Sequence, residues 1–332
     1  MSEIQRERLD LTGFSNKIAE LKSAISKTIV GQEQVVDLLL ASLVCDGHVL
    51  IEGVPGVAKT LLAKLMARLV DAKFSRIQFT PDLMPSDVLG TTVFNMQTST
   101  FDFHKGPAFA NIILADEINR APAKTQAALF EVMEERQATI DGQSYKMDEI
   151  YSIFATQNPV EQEGTYKLPE AQLDRFLVKI QMNYPNIEEE VEILIRHNEK
   201  TNITKVQDIQ PIITPKELLE LRSLLQKVYI EPSLLRYIAA IVQQTRNSKA
   251  IYLGASPRAS VGIMQLSKAI AILEGRDYIT PDDIKYCAPY VLAHRILLTA
   301  EAEMEGYTST KIIQNKNIAF HSQKQCFYDA KR

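Results

Sequence analysis

The feature that most constrains this chain is a join between two kinds of backbone. The apolar run Val49-Leu50-Ile51 ends in glycine, passes through Gly53-Val54-Pro55-Gly56-Val57-Ala58-Lys59-Thr60, and continues at helical period to Val70. A strand that enters a glycine turn and leaves as a helix opens a βαβ unit. In loops of the form G-x-x-x-x-G-K-[ST] the backbone N–H groups and the helix N-terminus converge on one point, an arrangement suited to phosphate. Ala58 stands where that pattern has its last glycine. A Cβ is tolerated wherever φ is negative, so helical φ is expected at Ala58.

Two further apolar runs, Asn111–Ala115 and Tyr151–Thr156, flank a segment of helical period over 122–135. Short apolar runs separated by helices indicate buried parallel strands. Between them, RQATIDGQSYKM alternates about Asp141-Gly142, a dipeptide suited to a type I′ turn, which predicts a hairpin over 136–147. FNMQTSTFDF, within 83–105, has the pattern of a second small hairpin. From residue 186 the strand signals stop. Capping boxes at Asn186…Glu189 and Thr214-Pro215…Glu217, and Thr280-Pro281…Asp283 with aspartate in the same role, open helices over 187–199, 215–227 and 281–293. Apolar periodicity adds 232–246 and 258–273. At 332 residues the chain has room for about two domains. The expected organisation is an α/β parallel-sheet core over 1–185, an all-helical domain over 186–308, and a basic flexible tail over 309–332.

The chain carries 37 Lys+Arg against 41 Asp+Glu, a formal charge of −4. From Lys311 onward there are five basic residues and one acid, so the body alone is near −8. That balance argues against a protein held to nucleic acid by a general positive field. Cys45, Cys287 and Cys326 show no ligand spacing, as expected of free thiols in a reducing compartment. The start, MSEIQRERLDL, lacks the apolar segment of a secretory signal, and Val35–Cys45 is interrupted by Asp37 and Ser42. Neither suits membrane insertion, and a cytoplasmic location is expected.

The second run ends in Asp116-Glu117. A buried strand in that position delivers two carboxylates to the carboxyl edge of the sheet, beside the phosphate loop. Asp116 is expected to hold Mg²⁺ directly or through water, together with the Thr60 hydroxyl. Lys59 is expected to neutralise phosphate oxygens, and Glu117 to orient and deprotonate the attacking water. Asn158 follows the third strand, within reach of the γ-phosphate or that water. Gly53 through Thr60, with Leu61 on the first helical turn, form the expected nucleotide-binding set.

GVPGVAKT, ADEINRAPAKTQAALFEVMEE, ATQNP, LPEAQLDRF and GASPRA together resemble a MoxR-type AAA+ ATPase over about residues 12–308. That family also has alanine at the position of Ala58. The hairpin over 136–147 is similar to its pre-sensor insertion and 83–105 to its helix-two insertion. Magnesium-chelatase AAA+ subunits are related and share both. The resemblance implies ATP and Mg²⁺ as cofactors and a homo-oligomeric, hexameric ring. It aligns Arg175 with an arginine finger acting in trans, and Arg258 with a second sensor, in cis or in trans. Val30 and Gly31 fall where AAA+ proteins line the adenine base. Arg120 is a weaker candidate for the subunit interface. The implied role is chaperone-like maturation of protein complexes, with partners that carry von Willebrand factor A domains.

A nucleic-acid-remodelling AAA+ motor is the alternative, because helicase-type members share the pre-sensor hairpin. Such a hairpin tracks phosphates with basic residues. Here the tip is Asp141-Gly142-Gln143, with only Lys146 nearby, so no nucleic acid is expected. The GAFTGA-type loop of a transcription activator is absent. A nucleotide-responsive protein without turnover has no need of the full set Lys59, Asp116, Glu117, Asn158 and Arg175.

Overall fold

The computed structural model describes residues 8–158, 164–199 and 206–315. The last seventeen residues of the expected tail, and Cys326 with them, lie outside these. Two compact units emerge. One comprises Leu21–Leu218; the other joins the segment up to Glu20 to the chain from Leu219 onward.

The first unit is built on strands β1 (Val49–Gly53), β2 (Phe74–Gln78), the hairpin β3–β4 (Gly90–Asn95, Thr100–Lys105), β5 (Ile112–Asp116), the hairpin β6–β7 (Gln137–Ile140, Gln143–Lys146), β8 (Ser152–Gln157) and β9 (Val178–Met182). Five of these form one parallel sheet in the order β2-β5-β8-β1-β9. The central strands carry the apolar runs: every residue of β5 is buried, as are five of the six in β8. Covered on both faces, such strands have no polar side to show. Edge strands β2 and β9 alternate instead, with burial at Ile77 in the first and at Val178, Ile180 and Met182 in the second. Their mixed composition is why they leave no apolar run.

Helices α2 (Glu33–Val44), α3 (Lys59–Leu69), α4 (Pro85–Leu89), α5 (Ala123–Glu135), α6 (Glu170–Leu173) and α7 (Ile187–Glu199) accompany these strands, and α1 (Thr12–Ser26) is divided at Glu20, its first nine residues belonging to the other unit. Helix α7 belongs by its contacts with the sheet unit, although its capped start resembles those of the later helices. A capping box fixes where a helix begins, not what it packs on. The two hairpins pack together: the Phe103 and Tyr145 rings lie 4.2 Å apart, and the Thr92 hydroxyl donates to Asp141 at the tip of the β6–β7 turn.

The second unit holds most of α8 (Pro215–Leu225), then α9 (Pro232–Asn247), α10 (Pro257–Leu273), α11 (Pro281–Leu292), α12 (Ala300–Met304) and α13 (Ser309–Asn315). A two-stranded antiparallel pair, β10 (Ile251–Leu253) with β11 (Leu297–Leu298), joins the helices. Strands this short leave no alternating pattern to read. Asp283 closes the capping box of α11, accepting from the Thr280 N–H at 2.7 Å, and also receives Arg276 at 2.7 and 2.9 Å. The tail expected over 309–332 is helical over its described part, 309–315. Thr308 accepts from the Lys311 N–H at 3.2 Å, and α13 buries Ile312 and Ile313, an adjacent pair too short to register as an apolar face.

Tyr151 is fully buried at the start of β8, under the Arg136 guanidinium 5.3 Å from its ring centroid. Burial holds its phenol far above the usual range, and the hydroxyl has no hydrogen-bond partner among the described residues. An unpaired buried hydroxyl costs about 1–3 kcal/mol, while phenylalanine keeps the cation–π contact. Tyr151→Phe is therefore expected to leave the melting temperature unchanged or raise it. A loss of more than about 1 kcal/mol would contradict this packing.

Candidate nucleotide-binding and hydrolysis site

The loop between β1 and α3 is fixed at both ends. A Cβ on Gly53 would stand 2.8 Å from the Met182 carbonyl of β9, so only glycine lets the two strands end this close. Gly56 takes φ +88°, and Ala58 takes φ 59°, ψ 22°. The helical φ expected at Ala58 is thus overturned: it is left-handed, at a cost of about 1–2 kcal/mol for a residue with a Cβ. Left-handed residues in such a loop turn backbone N–H groups into one concavity, a nest for anions. The first turn of α3 carries no acidic residue, and Ala58 supplies no side-chain cap. Its free N–H groups and the positive end of the helix dipole are left for a ligand. Lys59 opens that helix and donates to the Gly53 carbonyl at 2.7 Å. Burial lowers its pKa, while Asp116 and Glu117 act in the opposite sense, so both carboxylates lie within its field.

The sheet register aligns the other groups. Gln157 on β8 pairs with Glu52 on β1, so the buried Asn158 comes level with the start of the loop. Asp116 ends β5 and is 8% exposed. One of its oxygens accepts from Thr156 Oγ1 at 2.6 Å; the other accepts from Arg76 Nη2 at 2.6 Å and Nε at 3.1 Å. Glu117 follows in the left-handed region, with its N–H donating to Thr156 Oγ1 at 2.8 Å. Glu117 Oε2 accepts from Gln78 at 2.7 Å and from Arg120 at 3.0 Å. Arg120 therefore closes on Glu117 within one chain. Thr156 lies within ATQNP, whereas Arg76 and Gln78 are neighbours of the site that the linear motifs do not reveal. Their only sequence signal is the two-residue period that puts Arg76 and Gln78 on one face of β2.

A cavity of about 340 Å³ opens beside the loop, lined by Thr28, Ile29, Val30, Gln32, Gly56, Val57, Ala58 and Leu61 on one side. Pro185, Ile193, Arg196 and His197 line the other. It is apolar enough for an aromatic base and falls in the size range of small-molecule sites. Val30 lines it. Gly31 turns the chain beside it with φ +69°, and a Cβ there would meet the Glu189 carboxylate at 2.6 Å. Arg196 donates to Glu192 and to the Ser26 and Lys27 carbonyls, bracing α7 against this wall.

These donors fit the expected ligands. Asp116 and Thr60 supply hard oxygens of the kind Mg²⁺ takes, and the nest with Lys59 suits a polyphosphate. Arg175 is held away from this group: its guanidinium donates to the Phe130 carbonyl and lies 3.7 Å from the Glu134 carboxylate. Arg258 is the second residue of α10 and belongs to the other unit.

A five-stranded parallel sheet with a phosphate loop after its first strand and a paired carboxylate edge defines a P-loop ATPase of the AAA class. The ATPase family associated with various cellular activities (AAA) matches residues 48–178, and the AAA lid domain matches residues 243–316. The chaperone MoxR1 of Mycobacterium tuberculosis is 44% identical over 316 residues, 92% of this chain and 82% of that protein. YeaC, an uncharacterised protein of Bacillus subtilis, is 46% identical over 290 residues, 87% of this chain and 90% of its own. A crystal structure assigned as an ATPase candidate from Cytophaga hutchinsonii superposes with a TM-score of 0.84 at 43% identity, covering 92% of this chain and 94% of that one. The chain belongs to the MoxR family of AAA ATPases.

The left-handed alanine leads to a stability test. Ala58→Gly removes the Cβ penalty but loosens the unfolded chain by about 0.4–1 kcal/mol. The net expectation is a melting temperature about 1–3 °C higher. A lower value would mean that Ala58 is unstrained where it stands.

Proposed function

We propose that the chain hydrolyses ATP with Mg²⁺ in a ring of identical subunits and uses the cycle to remodel protein complexes. The observation that carries this reading is the sheet edge: Asp116 ends β5, Asn158 comes level with the start of the phosphate loop, and Lys59 opens the helix that follows it. Mg²⁺, when bound, supplies Lewis-acid neutralisation of the phosphoryl oxygens. Thr60 and Asp116 hold it. The loop N–H groups of Val54 and of Gly56 to Thr60, with the Lys59 ammonium, fix the phosphates, and Val30, Leu61 and Ile193 enclose the base. Glu117 orients a water toward the γ-phosphorus and takes its proton as the bond to the β-phosphate breaks. Asn158 holds the γ-phosphate or that water in line. Arg175 of a neighbouring subunit neutralises charge developing on the equatorial oxygens. Arg258 senses the phosphate state from the lid.

Residues 309–315 form α13 and belong with the helical unit. No helix among the described residues is long and apolar enough to cross a membrane. Among the described residues Cys45 and Cys287 form no disulfide, which supports a cytoplasmic setting. The name of the M. tuberculosis relative, and the family resemblance, support a chaperone role here. The client is a protein complex, with a von Willebrand factor A domain partner. The β6–β7 tip favours a protein client over a nucleic acid, since Asp141 is tied to Thr92 and presents no basic residue to a phosphate backbone.

Glu117→Gln is expected to bind ATP as the parent does and to lose about 10²–10⁴-fold in turnover. Turnover near the parental rate would refute its role. For the finger in trans, mixing inactive Arg175→Ala with inactive Glu117→Gln subunits is expected to restore activity above either alone. A mixture no more active than its components would place Arg175 outside the neighbour's site.

A further inference from the structure

The two carboxylates of the site are joined through two side chains, Arg76 and Gln78. Arg76 projects from the edge strand β2, and its Nη2 donates both to Asp116 Oδ2 at 2.6 Å and to Gln78 Oε1 at 2.8 Å. With its carbonyl so engaged, Gln78 turns its amide N–H onto Glu117 Oε2 at 2.7 Å. The guanidinium therefore touches the carboxylate expected to hold the metal and, through one amide, orients the carboxylate expected to activate water. Asp116 Oδ1 is already taken by Thr156. The oxygen facing Arg76 is the one whose partner must change when a cation arrives, and a guanidinium beside it repels that cation. The Arg76 side chain is 46% exposed, so solvent screens part of this effect.

We propose that Arg76 is a positioning residue that competes with Mg²⁺ for Asp116, so that metal binding is what frees the Arg76–Gln78–Glu117 relay. This rests on the reading of Asp116 as a metal-holding residue. In that arrangement Arg76 sets how much Mg²⁺ the site needs. With the guanidinium holding Asp116, Gln78 keeps Glu117 drawn toward β2. Once the cation takes Asp116, the guanidinium loses its partner and Gln78 its orienting donor.

The test is the Mg²⁺ concentration that half-saturates the Mg²⁺-dependent binding of a fluorescent, non-hydrolysable ATP analogue to the full chain. Arg76→Gln is expected to lower that midpoint about two- to fivefold, the upper part of the range for a half-exposed charge pair. Arg76→Lys keeps the charge and is expected to stay within about twofold of the parent. Arg76→Met, which keeps the apolar stem, is expected to follow Arg76→Gln and serves if that variant fails to fold. An unchanged or raised midpoint in a folded Gln or Met variant overturns the proposal and reduces the contact to a structural ion pair. A parent whose analogue binding ignores Mg²⁺ sinks the reading of Asp116, and the proposal with it.

Discussion

The site depends on one constraint: three buried parallel strands must end at the same level. β1, β5 and β8 are held in register by their ladders and by apolar burial on both faces, and no strand can slip without turning its core residues outward. That packing brings Gly53, Asp116, Thr156 and Asn158 to one edge. Asp116 is tolerated there because both of its oxygens are paired, one with a hydroxyl and one with a guanidinium. The burial that supplies stability thus also supplies the electrostatics. Lys59 is pulled down by desolvation and held up by the carboxylates that the same strands deliver.

Much of this was legible in the sequence, for a physical reason. The central strands are covered on both sides, so they must be apolar throughout, and an apolar run ending in glycine or in Asp-Glu marks a site edge. The helix starts at 187, 215 and 281 were legible because capping is local chemistry. The edge strands β2 and β9 were not, since half-buried strands mix polar with apolar residues. With β2 went Arg76 and Gln78, whose role depends on lying opposite Leu114 and Asp116. Ala58 is a different case. Its residue type argues for negative φ, but the turn between strand and helix overrides that preference. Helix α7 shows a third limit, because helical period identifies a buried face without naming the surface that buries it.

The two arginines taken from the family resemblance differ in how the fold treats them. Arg175 follows α6 and is held by the last turns of α5, the helix that descends from the Asp116-Glu117 edge. Arg258 stands near the N-terminus of α10, whose first residue is proline and whose interior is buried in the helical unit. Arg175 belongs to the sheet unit and Arg258 to the helical unit.

The central claim is that Lys59, Thr60, Asp116 and Glu117 form a single Mg²⁺-dependent ATP site at this sheet edge. The most direct measurement is a crystal structure of the chain with Mg²⁺ and a non-hydrolysable ATP analogue. The account predicts phosphates in the loop over 53–60, the metal held by Thr60 and Asp116, and the base between Val30 and Ile193. An analogue bound away from that loop, or a metal that leaves Asp116 untouched, would contradict it.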